Sequence, residues 1–215
     1  MIGFLPENTG MNPKLERFAF GLILAPLAPL AGLLVGWWCT YALLPEKWIP
    51  LGALSGLVSG ILADSLILNK LLDRAIHLGR LFWAAVFLFY TVGVFGFFMG
   101  VPVFNALLSI PVGFVAGAKL AEQRADPIQV RKMAGWTARV TTSVMVFVCA
   151  ASALLALLSK STASDLQGML GLGFEVTQGM VIGLILVGGA VLLAVSYGLT
   201  ILSVRFSYKF TQRKV

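Results

Sequence analysis

The sequence has 215 residues, of which 59% are hydrophobic and 12% are charged, and its mean hydropathy is +0.92. Ordinary soluble domains are about one quarter charged, so this composition excludes a water-soluble fold. The net charge of +7 does not by itself indicate nucleic-acid binding, which requires a basic folded face with elements that read bases.

Six uncharged runs are long enough to cross a bilayer, because about 20 apolar residues span a hydrocarbon core of roughly 30 Å. The third and fourth runs are nearly fused and together reach about twice a membrane thickness, so the chain must fold back between them. Gly100 and Pro102 supply that break. In chain order the runs are 18–44, 48–68, 81–101, 102–118, 140–158 and 176–204.

These runs predict an all-α integral membrane protein with one transmembrane domain, a six-helix bundle. We assign residues 1–17 to a cytoplasmic N-terminal segment, 18–204 to the bundle and 205–215 to a basic cytoplasmic tail. Asp126 followed by Pro127 predicts the start of a helix, 128–139, that leads into the fifth span. Residues 160–165 are expected to form a polar loop.

The distribution of Lys and Arg predicts the orientation, since cytoplasmic loops are enriched in both. With the N-terminus inside, 14 of the 16 Lys and Arg residues fall on the cytoplasmic side, and only Lys47 and Lys160 fall outside. We therefore predict a multi-pass protein of the cell (plasma) membrane with both termini in the cytoplasm (N-in/C-in). Basic inner loops would attract anionic lipid headgroups, which accounts for the positive charge without nucleic acid.

Glycines recur at a spacing of four in five of the six predicted helices, and such small residues allow helices in lipid to pack closely. The longest row is Gly52, Gly56 and Gly60. Two interpretations remain open for this row. It packs the bundle itself, or it is a groove onto which the helix of a partner protein docks.

Prolines interrupt two of the predicted helices. Pro26 and Pro29 lie in the first, and Pro111 lies in the fourth. These helices correspond to each other if the protein is an inverted repeat of three plus three helices, and paired breaks of this kind can free backbone carbonyls at a binding site in the membrane. The alternative is that both are ordinary proline kinks.

Asp64 is an acid within the second apolar run. It follows Trp48 by sixteen residues, about 24 Å along a helix, which places it in the inner quarter of the membrane. A charge at the bilayer centre costs about 2.5 to 3.5 kcal/mol, so such a residue is a candidate for function. Two roles remain open for it: a structural ion pair with Arg17, Lys70 or Arg80, or a proton or cation site.

Aromatic and polar residues cluster at the predicted outer ends of the helices. Aromatic walls with a few fixed polar groups are typical of a small-molecule pocket, although Trp and Tyr also form the aromatic belt of membrane proteins. Asn105 fits a belt least well, because an amide inside an apolar helix needs a partner. The candidate ligand-binding residues are Trp38, Tyr41, Phe104, Asn105, Glu175 and Gln178.

The sequence contains little that points to catalysis. Its single histidine, His77, argues against a haem held by two histidines and against a His-based metal site. It has no HExxH, GxSxG or Walker A motif. We therefore predict that the protein is not an enzyme and has no catalytic residue, metal or cofactor.

Two functions from different classes remain open. The first is a small-solute transport component with an outward-facing binding mouth. In helix count and orientation the chain is similar to the substrate-binding membrane subunits of energy-coupling-factor importers and, in topology, to six-helix permease halves of ABC exporters, a resemblance that implies an ATPase partner. The second is a non-catalytic subunit or assembly factor that packs against other membrane subunits. Convergence of Asn105 and Glu175 on a cavity would favour transport, and their direct pairing would favour the second function.

Overall fold

The structure is a computed structural model that describes residues 13–159, 161–171 and 173–212. All regular elements among these residues are helical, and two of them are short 3-10 turns, Glu46–Trp48 and Ala75–His77. The α-helices are α1 (Pro13–Leu24), α2 (Leu27–Leu43), α3 (Ile49–Arg74), α4 (Arg80–Phe97), α5 (Val103–Leu107), α6 (Ser109–Glu122), α7 (Pro127–Leu158), α8 (Thr162–Leu170) and α9 (Gln178–Gln212).

Six helical segments in the described ranges are long and apolar enough to cross a membrane, which confirms the predicted number of spans. The first combines α1 with α2, and the fourth combines α5 with α6. The chain is thus an all-helical, multi-pass membrane protein. The spans are Arg17–Leu43, Glu46–His77, Arg80–Phe97, Val103–Glu122, Pro127–Leu158 and Gln178–Thr211.

The start of α7 is as predicted, whereas the loop before α8 is not. The Asp126 carboxylate accepts a hydrogen bond of 2.6 Å from the Gln129 backbone N–H, which caps the first turn of α7. Residues 162–165 were expected in a polar loop, but α8 begins at Thr162. The Thr162 hydroxyl donates to the Ala156 carbonyl at 2.8 Å and fixes the start of this helix. Lys160, also assigned to that loop, lies outside the described residues.

The fold-back between the third and fourth spans occurs where the sequence predicts it. The Met99 N–H donates to the Gly96 carbonyl at 3.1 Å, and the Gly100 N–H donates to the Phe95 carbonyl at 2.8 Å. This pair of bonds is a Schellman motif, which ends a helix with a residue in the left-handed region. Met99 occupies that position at φ 53°, Gly100 follows at φ 83°, and Pro102 precedes α5.

The described residues form two compact units, one within 13–82 and the other within 83–212. We call them unit 1 and unit 2 and describe each by itself.

In unit 1 the antiparallel helices α2 and α3 approach until their backbones touch. A Cβ atom added to Gly32 would lie 2.2 Å from the Gly56 carbonyl oxygen, and one on Gly36 would lie 2.2 Å from that of Gly52. No side chain fits between the helices at these positions. The glycine row of α3 is therefore covered by α2, and an outside partner helix has no room on that face.

In unit 2, α9 packs closely against α6 through a second set of glycines. A Cβ atom on Gly113 would lie 2.7 Å from the Thr200 carbonyl oxygen, and one on Gly117 would lie 2.4 Å from that of Val204. Hydroxyl groups follow the same seam. Ser203 donates to the Ile110 carbonyl at 2.6 Å, and further along the helix Ser207 donates to the Phe114 carbonyl at 2.9 Å.

Two further hydroxyl pairs tie α9 to its neighbours. Ser109 of α6 and Ser196 of α9 lie 2.8 Å apart, and Thr141 of α7 and Thr200 of α9 lie 2.8 Å apart. All four side chains are buried. Because lipid supplies no hydrophobic drive between helices, close packing and such polar contacts hold this core together. We call the hydroxyl groups of α9 that contact α6 and α7, together with their partners, the hydroxyl seam.

Candidate functional site

Asn105 is buried in unit 2, where the fold-back holds it against α4. It is the third residue of α5, and it is 5% exposed. Its Nδ2 donates to the Thr91 carbonyl oxygen at 2.8 Å. The partner that an amide in an apolar helix needs is thus supplied by the preceding helix.

Two buried polar atoms beside this hydrogen bond have no partner among the described residues. They are the Asn105 Oδ1 and the Thr91 Oγ1, and Thr91 is only 6% exposed. An unsatisfied buried polar atom costs about 1 to 3 kcal/mol. An amide oxygen accepts hydrogen bonds, and a hydroxyl both donates and accepts. One acceptor and one group that both donates and accepts are thus left unused here, and we call the pair the Asn105 site.

The packing of α5 fixes the position of Asn105. This short helix packs on α7 and α9, and its buried Ala106 contacts Met145 and Val148 of α7. Phe104, a predicted ligand-binding residue, stacks on Phe98 across the hairpin with ring centroids 3.7 Å apart. These apolar contacts hold the amide in the protein interior.

Gln178 is the first residue of α9, Glu175 lies three residues before it, and both are exposed. Between them, the Thr177 Oγ1 accepts a hydrogen bond of 3.3 Å from the Met180 N–H, which caps the helix. Neither Glu175 nor Gln178 is hydrogen-bonded to Asn105 in the described part of the chain. The pairing of Asn105 with Glu175 that would favour a structural role is thus not formed there.

Trp38 and Tyr41, the remaining two predicted ligand-binding residues, belong to unit 1. Both are well exposed on α2, and their rings meet edge to face with centroids 6.0 Å apart. The structure places one pair in unit 1 and the other four residues in unit 2. That all six residues line a single pocket stays a prediction.

Asp64 has no ion pair or hydrogen bond with any residue that the structure describes. Its expected partner Arg17 instead contacts Asp73 at 3.3 Å, and it donates to the Asn69 side-chain oxygen at 3.1 Å. Asp64 is partly exposed on α3. The structure therefore shows a carboxylate within a membrane span without a protein counter-ion.

Both proline-containing spans are broken in the structure. The first is interrupted at Ala25 and Pro26, and the fourth at Leu108, three residues before Pro111. Proline has no N–H, so the carbonyl four residues before it loses its helical donor. Pro111 has this effect on the Leu107 carbonyl.

No group of three or more His, Cys, Asp and Glu residues that could hold a metal ion occurs in the described part of the chain. The chain matches no family model, no curated protein and no solved structure.

Proposed function

We propose that the protein is a transport component of the cell membrane, with both termini in the cytoplasm, that binds a small polar solute. One observation supports this proposal above all others. Two polar atoms without partners, the Asn105 Oδ1 and the Thr91 Oγ1, lie buried in the helical interior of unit 2. Each unsatisfied buried group in a native protein needs an explanation, and a bound water or other small molecule is one.

The chemistry of the Asn105 site favours an uncharged solute. A hydroxyl or amide group can donate to the Asn105 Oδ1 and accept from the Thr91 hydroxyl. The two residues contribute no charge, and an ion would have to give up its hydration without a counter-ion. Small polyols, amides and similar neutral molecules fit this pattern.

The solute enters and leaves by movement of α5. Both site residues are buried, so a rigid protein would not exchange an occupant. α5 has only five residues, and chain breaks lie on both sides of it, at Met99 and Gly100 and at Leu108. Short segments between breaks absorb such motions with little change elsewhere.

The exposed residues Phe104, Glu175 and Gln178 of unit 2 form the outer mouth of this site. Basic cytoplasmic loops bind anionic headgroups. An ATPase or another membrane subunit supplies the energy for transport of the solute.

The test compares variants that keep or remove the Thr91 hydroxyl. Thr91→Val has nearly the same shape without the hydroxyl, and Thr91→Ser retains the hydroxyl. Thermal unfolding in nanodiscs is measured against a panel of neutral polyols and amides. We expect a subset to raise the Tm of the wild type and of Thr91→Ser, and to leave Thr91→Val and Asn105→Ala unchanged. Equal responses of Thr91→Val and the wild type to every active solute would contradict the proposal.

A second function, that of a non-catalytic subunit of a larger membrane complex, is supported by the glycines at the start of α9. A Cβ atom on Gly183 would meet nothing within 4 Å, and one on Gly179 would meet only the Thr177 Oγ1, at 3.8 Å. Open small-residue faces can admit a partner helix. Purification in nanodiscs with mass spectrometry distinguishes the two functions. Stoichiometric membrane subunits that are lost in Gly183→Leu would favour this one, and a co-purifying solute would favour transport.

A further inference from the structure

We propose that Asp64 and the backbone carbonyl of Ala25 form a binding site for an alkali metal cation in unit 1. The site lies at the break between α1 and α2. It does not depend on the Asn105 site, which lies in unit 2. The proposal rests on the register of the helices, on a carbonyl that proline leaves without a donor and on the charge of Asp64.

The glycine contacts define the register of α2 against α3. Each step of about four residues back along α2 is matched by a step of four residues forward along α3. The Cβ positions and their nearest atoms show this pairing in order: Gly36 with Gly52, Gly32 with Gly56, and Pro29 and Ala28 with Gly60.

The same register continues past the break into α1. Three four-residue steps lead from Pro29 to Arg17 and from Gly60 to Leu72, and Arg17 contacts Asn69 and Asp73, which lie on either side of Leu72. Asp64 lies one turn after Gly60, and Ala25 lies one turn before Pro29. The two ends of the register therefore place Asp64 opposite Leu24 and Ala25.

The Ala25 carbonyl has no hydrogen-bond donor among the described residues. In a continuous helix its donor would be the N–H of Pro29, which proline lacks. The carbonyl lies on the side of the helix that faces α3, because a Cβ atom on Gly60 would be 2.7 Å from the Pro29 Cα one turn later. Pro26 removes the helical donor of the Leu22 carbonyl in the same way.

These groups complement a cation of charge +1. Asp64 supplies one negative charge without a counter-ion, and the carbonyls supply the oxygen ligands that hard cations prefer. Carbonyls at the unwound parts of broken membrane helices are known to coordinate Na⁺. A divalent ion would keep an excess positive charge in the membrane. An alkali cation that retains some of its water matches the site.

The experiment uses the full chain in nanodiscs and three variants. Asp64→Asn removes the charge at almost constant shape. Pro29→Ala restores the N–H that occupies the Ala25 carbonyl. Asp73→Asn is the matched control, because it also removes an acid of α3 but lies at the Arg17 contact. Saturable binding of radioactive sodium and rubidium is measured, together with the Tm in sodium, potassium and choline chloride.

We expect saturable binding of sodium or rubidium by the wild type and by Asp73→Asn. Asp64→Asn should lose it, and Pro29→Ala should weaken it by about tenfold or more, as expected when a supporting ligand is removed. The Tm of each variant in choline chloride shows whether it is folded. Absence of saturable binding by the folded wild type, equal binding by Asp64→Asn, or a response to pH without a response to either cation would each overturn the proposal. None of these results would alter the solute response of the Asn105 site.

Discussion

Replacement of Gly56 by alanine tests how closely the two helices of unit 1 pack. A Cβ atom there would lie 2.1 Å from the Gly32 carbonyl oxygen, 2.8 Å from its carbon and 3.1 Å from the Gly36 Cα. Ordinary contact begins near 3.4 Å. All three obstructing atoms belong to the backbone, so no side-chain rotation relieves the clash, and α2 and α3 must move apart by more than 1 Å locally.

The cost follows from two opposing effects. A gap of about 0.5 to 1 Å forfeits roughly a quarter to a half of each van der Waals contact, and overpacking typically costs about 1 to 3 kcal/mol. Alanine has a higher helix propensity than glycine, which offsets up to about 1 kcal/mol of this cost. We therefore expect Gly56→Ala to lower the free energy of unfolding by about 1 to 2 kcal/mol.

Unfolding by SDS in mixed micelles measures this change, with the fluorescence of Trp37, Trp38 and Trp48 as the signal of unit 1 once Trp83 and Trp136 of unit 2 are replaced by phenylalanine. Gly21→Ala is the matched control, because its Cβ atom would meet nothing within 4 Å. That variant should be unchanged or up to about 1 kcal/mol more stable. If Gly56→Ala and Gly21→Ala shift the free energy of unfolding alike, the backbone contact between α2 and α3 is not as described.

Three other outcomes are expected. Thr200→Val loses the hydrogen bond to Thr141, so it should destabilise unit 2 by about 0.6 to 1.7 kcal/mol. A double-mutant cycle with Thr141→Val measures the coupling energy between the two side chains. Additive effects of the two substitutions would count against the contact. Met99 has a left-handed φ of 53° and a side chain that is 93% exposed. Met99→Gly relieves this strain and should raise the free energy of unfolding by about 1 kcal/mol, whereas Met99→Ala should not. Thermal unfolding of the two variants and the wild type measures the difference. In a chain with Cys39 and Cys149 replaced by serine, Lys47→Cys should react with an impermeant thiol reagent added to intact cells and Arg131→Cys should not; the opposite pattern would reverse the orientation.

The spans and their breaks could be predicted because they depend on local properties of the sequence. Uncharged length determines which segments cross the membrane. Proline, glycine and the pair Asp126 and Pro127 act within one turn of their own position. The helical start at Thr162 was missed because it depends on a hydrogen bond to Ala156, in the preceding helix.

The hydroxyl seam could not be predicted, because its members are far apart in sequence. Ser109 and Ser196 are 87 residues apart, and Thr141 and Thr200 are 59 residues apart. A serine or threonine in an apolar helix can equally bond to its own backbone. The spacing of Ser196, Thr200, Ser203 and Ser207 along one face of α9 was the available signal. The sequence did single out Asn105, but it contained no indication that Thr91 is its neighbour.

The hydroxyl seam also affects how the protein is inserted into the membrane during translation. Translation produces α6 and α7 well before α9, so the side chains of Ser109 and Thr141 enter the bilayer before their partners exist. Gly113 and Gly117 likewise have no neighbour until α9 arrives. Unit 2 therefore completes its interior only when its final helix is inserted.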